Sequence, residues 1–195
     1  MNRKSLIAAA LALAIGAPAF AQTPAQPAAR PAPGPGLTLT TTAFEDGGVI
    51  PVKYTSADPK AVSPALTWTN VPNGTVTFAL IFHDPDVALK RSTLDVLHGM
   101  WFNIPAATTS FAEGALTGSL SDGTVQAKNM RNQPGYMGPG AGAAGPMHHY
   151  TFELFALDTK LDLTDAATRD DVIKAMDGHI LGKAVLVGRF KRPSQ

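Results

Sequence analysis

The chain has 195 residues, a formal net charge of +1 and no cysteine. Acidic and basic residues are interspersed, with no block of like charge, which argues against nucleic-acid binding and broad electrostatic adhesion to membranes. Stability can owe nothing to disulfides, and no internal repeat points to a solenoid.

The chain opens with "MNRKSLIAAALALAIGAPAFAQ". Arg3 and Lys4 form a charged leader, Leu6 to Ile15 an apolar run, and Ala19-Phe20-Ala21 an A-x-A cleavage site. The run is shorter than the ~20 residues that span a bilayer. Residues 1–21 are expected to be a signal peptide; the alternative is an N-terminal anchor helix that stays attached. No cysteine follows the run, so a lipoprotein anchor is excluded and a periplasmic or secreted mature protein is expected. Without Arg3 and Lys4, 14 basic residues face 15 acidic ones. Residues 22–36, "QTPAQPAARPAPGPG", hold five prolines and no large apolar side chain. They cannot bury enough surface to offset their ordering entropy and are expected to form a Pro/Ala-rich linker. Residues 37–195 remain for one domain, enough for a core without staples.

Within that domain "LTLTTTAF" alternates as an exposed strand would, "EDGGVIP" is turn chemistry, and "SPALTWTNVP" is a short strand flanked by prolines. "GTVTFALIFHDPD" puts Val76, Phe78, Leu80 and Phe82 on one face and Ala79 and Ile81 on the other. A strand apolar on both faces is central and covered on both sides. "HGMWFNIP", residues 98–105, is a strand stopped by Pro105. "YTFELFALD" sets Tyr150, Phe152 and Leu154 against Thr151, Glu153 and Phe155. "TRDDVIKAMDGH" is helical: Thr168 caps it with Asp171 three residues on, Val172, Ile173 and Met176 form the buried stripe, and Gly178 ends it. "KAVLVGRFKR" closes the chain as a strand. The pattern predicts a mainly β domain: two packed antiparallel-rich sheets with one or two short helices at the margin.

Three pieces carry unusual polar residues at strand ends. "HDPD", His83 to Asp86, follows the central strand; Pro85 ends the ladder, so both carboxylates leave the sheet together. An ordinary acidic turn is the plainer alternative. His98 starts its strand. His148 and His149 fall on opposite faces: His148 sides with Tyr150, while His149 is expected to meet Glu153 or solvent. The loop before them, "GPGAGAAGPM", contains G-x-G-x-x-G but leads into a strand, which rejects a dinucleotide site. Its glycines offer backbone N–H groups free of any ladder, and a nest of such groups binds anions. No G-x-S-x-G, H-E-x-x-H or cysteine nucleophile occurs.

Taken in order, "FEDGGVIPVKYT", "SPALTWTNVP", "DPD" with "HGMWFNIP", "GPGAGAAGPMHHYTFELFALD" and "GHILGKAVLVGRFKR" resemble the phosphatidylethanolamine-binding protein family, in its bacterial Raf-kinase-inhibitor-like branch. The resemblance covers most of the domain. It implies two packed sheets and a small surface cavity that binds phosphate or another small anion, such as a phospholipid headgroup. By position the cavity wall is Asp84, Pro85, Asp86, His98, Gly138, Pro139, His148 and Tyr150. His149 stands where the family has arginine. Val87-Ala88 replaces the family's Ala-Pro, Gly99 replaces a tryptophan, and the loop is Gly/Ala-rich instead of proline-rich. These changes are expected to widen the cavity's mouth. The expected function is therefore an exported, non-enzymatic binding protein without cofactor or integral membrane association, with His98, His148 and Tyr150 as donors to the anion. Two alternatives stand. One is a metal-dependent or acid–base hydrolase built on His98, His148 and Asp84. The other is an inhibitor of a protease or other partner protein.

Overall fold

The computed structural model describes residues 35–194. The expected signal peptide and residues 22–34 of the expected linker lie outside them. Among the described residues, eight strands and one α-helix follow in chain order. The strands are β1 (Thr38–Thr40), β2 (Leu66–Thr69), β3 (Thr77–Asp84), β4 (Val96–Pro105), β5 (Ser110–Phe111), β6 (Val125–Ala127), β7 (His148–Leu157) and β8 (Ile180–Phe190); α1 (Arg169–Met176) precedes β8. They form a three-stranded sheet, β1-β2-β5, and a five-stranded sheet, β6-β4-β3-β7-β8, antiparallel throughout.

The central strand β3 is buried at every position. Its two faces feed two cores. Phe78, Leu80 and Phe82 join Phe152 and Leu154 of β7 and meet Leu66 and Trp68 of the small sheet. Ala79 and Ile81 join Met100 and Phe102 of β4 and meet Val172 and Met176 of α1. The large sheet is thus sandwiched between the small sheet and the helix, which explains why its middle strands lack the alternation of a half-exposed sheet.

Two expected core positions are on the surface instead. Val76 precedes β3 and is 48% exposed, because the strand begins one residue later. Ile173 is 41% exposed, since a single short helix lying on a sheet buries only the narrow stripe of Val172 and Met176. The Thr168 cap is present: its hydroxyl accepts from the Asp171 N–H at 3.2 Å, and the Asp171 carboxylate accepts from the Thr168 N–H at 2.9 Å.

Strand β4 carries two bulges. Leu80 pairs with Trp101 and Phe78 with Ile104, so Phe102 and Asn103 together oppose Ala79. Asn103 takes the left-handed conformation (φ 57°) and exchanges two hydrogen bonds with the Leu161 backbone. Further along, Phe82 pairs with Gly99 but His83 pairs with Leu97. His98 is the extra residue, and a bulge of this kind re-aims the side chain it carries.

Candidate functional site

The site lies where β3 ends beside the start of β7. Asp84 is the last residue of β3, and one of its carboxylate oxygens accepts the Asp86 N–H at 3.0 Å, closing the turn across Pro85. Antiparallel pairing sets His83 opposite Thr151, so the two histidines of β7 fall opposite this turn. Each grips one aspartate. His148 Nδ1 lies 2.8 Å from Asp84, and His149 Nδ1 lies 3.0 Å from Asp86, whose carboxylate also accepts the His149 backbone N–H at 2.5 Å. His149 therefore meets Asp86, not Glu153; Glu153 is held by Lys183 at 2.5 Å. Burial pushes the Asp86 carboxyl up, but the His149 amide and imidazole outweigh it, and the net shift is below the ordinary value.

Asp84, His98, Gly138, His148 and Tyr150 line one cavity of about 330 Å³. Pro85, Asp86 and Pro139 do not line it. Asp86 is turned outward to His149, and the Pro139 carbonyl accepts the Ser56 N–H at 2.8 Å. Gly138 packs so closely on the same segment that a Cβ there would lie 2.9 Å from the Ser56 nitrogen. These positions build the wall from behind. Val87, Val96, Met130, Arg131, Met137, Gly140, Ala141 and Gly142 complete the lining. Nothing in the sequence marked Met130 or Arg131, which come from a connecting segment without periodicity; Ala141 belongs to the glycine-rich loop before β7.

His98 is 4% exposed. Its ring sits 5.2 Å from both Phe82 and Tyr150, edge-on to the latter. Its Nδ1 donates to the Met137 carbonyl at 2.7 Å, and the Met137 N–H donates back to the His98 carbonyl at 2.8 Å. Burial lowers its pKa below the ordinary value, partly offset by the Met137 contact. Its Nε2 has no hydrogen-bond partner among the described residues.

The glycine loop does not offer all its amides to a ligand. The Gly140 and Ala141 N–H groups donate to the Tyr150 hydroxyl at 3.1 and 2.9 Å. The phenol is fully buried, and burial above all pushes its pKa up to about 12. It stays protonated at any physiological pH, with one O–H to share between the nearby Asp84 carboxylate and a ligand. Nor does Gly99 open the mouth. A Cβ at Gly99 would fall 2.2 Å from the Trp101 ring, which is itself fully buried in the core. The space left by the missing side chain is filled by Trp101, and Gly99 does not line the cavity.

Among the described residues, Asp84, Asp86 and His148 are the group whose donor atoms lie within 4.8 Å of one another, close enough to hold one ion. His98 stands outside this group. All three members already spend donor atoms on one another or on His149.

On the opposite face of the sheet His83 is buried, with Nδ1 2.6 Å from Asp95. Asp95 also binds Arg169 of α1. This cluster and the cavity share the connection between β3 and β4: Asp95 faces the helix, while the adjacent Val96 lines the cavity.

Comparison with known proteins agrees with this fold. The family model described as phosphatidylethanolamine-binding protein matches residues 40–191. A UPF0098 protein of Methanothermobacter thermautotrophicus is 43% identical over 157 residues, covering 80% of this chain and 99% of the relative. A protein of Mycobacterium tuberculosis named putative lipoprotein LppC is 35% identical over 176 residues, covering 88% and 77%. Among solved structures, the putative phosphatidylethanolamine-binding protein homologue CT736 of Chlamydia trachomatis superposes with a TM-score of 0.69 at 30% identity, over 80% of this chain and 98% of that one. E. coli YbcL, described as a new member of the mammalian family, gives 0.70 at 26% identity, over 81% and 99%. With the family model spanning nearly the whole domain and the same fold in these structures, the chain belongs to the phosphatidylethanolamine-binding protein family.

Proposed function

We propose that the protein is an exported binding protein whose cavity takes a small oxyanion of the phosphate type, and that it is not an enzyme. The observation that carries this reading is the convergence of His98, His148, Tyr150 and Arg131 on one cavity. Arg131 is the cation of the lining and Tyr150 a standing O–H donor. Each imidazole keeps Nε2 free while Nδ1 is held by a protein acceptor. Asp84 spends its lone pairs on Asp86 N–H and His148, which turns a repulsive carboxylate into an orienting group. The lining argues for binding over turnover. Its one hydroxyl is a phenol whose high pKa makes it a poor nucleophile, and its one carboxylate is hydrogen-bonded on both oxygens. Export rests on the charged leader, apolar run and A-x-A site, and is supported by a relative being named a putative lipoprotein.

The test is imidazole NMR. Adding inorganic phosphate should move the ring signals of His98 and His148 and leave His179, which pairs with Asp158 elsewhere, in place. Movement of neither cavity histidine at millimolar phosphate, the range of ~4 kcal/mol binding, would contradict the reading.

A further inference from the structure

The two imidazoles were expected to be donors, but their anchoring says otherwise. A carbonyl oxygen only accepts, so the contact between His98 Nδ1 and the Met137 carbonyl fixes the neutral ring's one proton on Nδ1. Nε2 then holds a bare lone pair toward the cavity. His148 is anchored in the same way, with Nδ1 against the Asp84 carboxylate. The difference between them is what stands behind. An imidazolium at 148 has a carboxylate in contact; one at 98 has only a carbonyl. The other charged groups near His98 are Asp84 and His83 on β3 and Arg131 in the lining. Tyr150 on β7 meets it edge-on with a neutral ring. Arg131 and His83 oppose a positive charge at 98, Asp84 favours it, and burial opposes it most. His98 therefore enters binding as an acceptor.

We propose that the cavity selects an oxyanion that brings its own hydroxyl, hydrogen phosphate or the protonated form of a phosphate monoester, by setting the unpartnered Nε2 of His98 against that O–H. This rests on the reading of the cavity as a small-oxyanion site and adds its selectivity. Arg131 and the Tyr150 O–H serve the unprotonated oxygens, and His98 serves the protonated one. An oxyanion with no O–H must first force a proton onto His98. A buried acceptor left facing another acceptor is the strongest ground for discrimination a polar site has.

Three dianions of matched charge test this at about pH 8. Inorganic phosphate is then largely dianionic but keeps one O–H. Methyl phosphate, whose second ionisation lies at about 6, keeps none, and neither does sulfate. Calorimetry should show phosphate binding at least about tenfold more tightly than the other two. At about pH 5.5 methyl phosphate regains its hydroxyl and should rise to within about threefold of phosphate. In paired buffers of different ionisation enthalpy, sulfate should take up about one more proton per molecule bound than phosphate does. His98→Ala, with its thermal melt confirming a folded protein, should bring the three ligands within about threefold of one another at pH 8. The proton count on the unaltered protein decides the matter if that variant does not fold. Equal affinities at pH 8 with equal proton uptake would overturn the selection and leave the oxyanion cavity standing. No binding of any of the three at either pH would overturn both.

Discussion

At position 99 the backbone lies directly against a core side chain. Gly99 leaves room for the Trp101 ring, so the smallest addition there meets an aromatic plane instead of a mobile chain end. We predict that Gly99→Ala costs about 1–3 kcal/mol in chemical denaturation, the ordinary cost of overpacking. A loss below about 0.5 kcal/mol would mean that the indole lies elsewhere. His98 makes a second prediction. Its pKa is lowered in the folded state, so the unfolded chain binds more protons as pH falls. Its contribution to stability is complete above the unfolded value of ~6.5 and declines as pH drops from there toward the folded value. Melting temperature in oxyanion-free buffer should fall over that window more steeply for the unaltered protein than for His98→Gln. Added sulfate should flatten the fall, because a bound anion raises the histidine's pKa. Parallel pH profiles for the two proteins would refute the assignment. The assignment of His148 and His149 to different faces was legible from β alternation alone. The partner of His149 was not, because it depends on a turn from β3 folding back across the strand end.

The elements that position the site were mostly legible for one reason: β3, β4 and β7 are rich in apolar and aromatic residues, and a run apolar on both faces leaves a strand nowhere but the middle of a sandwich. Phe78→Ala should cost ~3–5 kcal/mol through lost transfer energy and the cavity left behind, because Phe78 is fully buried and stacks edge-on to Trp68. A loss under ~1 kcal/mol would contradict a central β3. The bulges in β4 were not legible. A bulge is decided by the fit of two strands, and one strand's sequence does not contain the other. It is nevertheless the bulge that places His98. The link from α1 to the cavity was equally hidden, since Arg169 and Asp95 are far apart in the chain and each is an ordinary surface-type charge in its own segment. Their contact, with His83 behind Asp95, pins one end of the segment that carries Val87 and leads into Val96. Arg169→Ala should cost about 1–3 kcal/mol, the penalty of leaving a largely buried Asp95 short of its cation. It should also weaken phosphate binding several-fold although it touches no ligand. An unchanged phosphate affinity in a destabilised variant would show that the helix and the cavity are uncoupled.

Across the molecule, the fold and family were legible in the sequence, and some of the residues lining the cavity were not. Arg131 and Met130 line it from a segment with neither periodicity nor motif, brought there only by the closed chain. No helix of the described residues is long and apolar enough to cross a membrane. The exported reading concerns the part before them. Protein recovered from a periplasmic extract should begin at Gln22 after cleavage behind Ala21; N-terminal sequencing that still reads Met1 would sink it. Everything proposed for the cavity depends on one oxyanion being held between His98 and His148. Calorimetric titration with sulfate from about pH 7.5 to 5.5 is the sharpest test, because sulfate stays dianionic and any change belongs to the protein. Affinity should rise steadily as the pH falls across this range and protons should be taken up on binding, because holding sulfate puts a proton on His98. His98→Ala should remove most of the rise and His149→Ala should leave it nearly intact, since His149 is turned outward to Asp86. A pH-independent affinity, or equal losses in the two variants, would contradict an oxyanion held against His98.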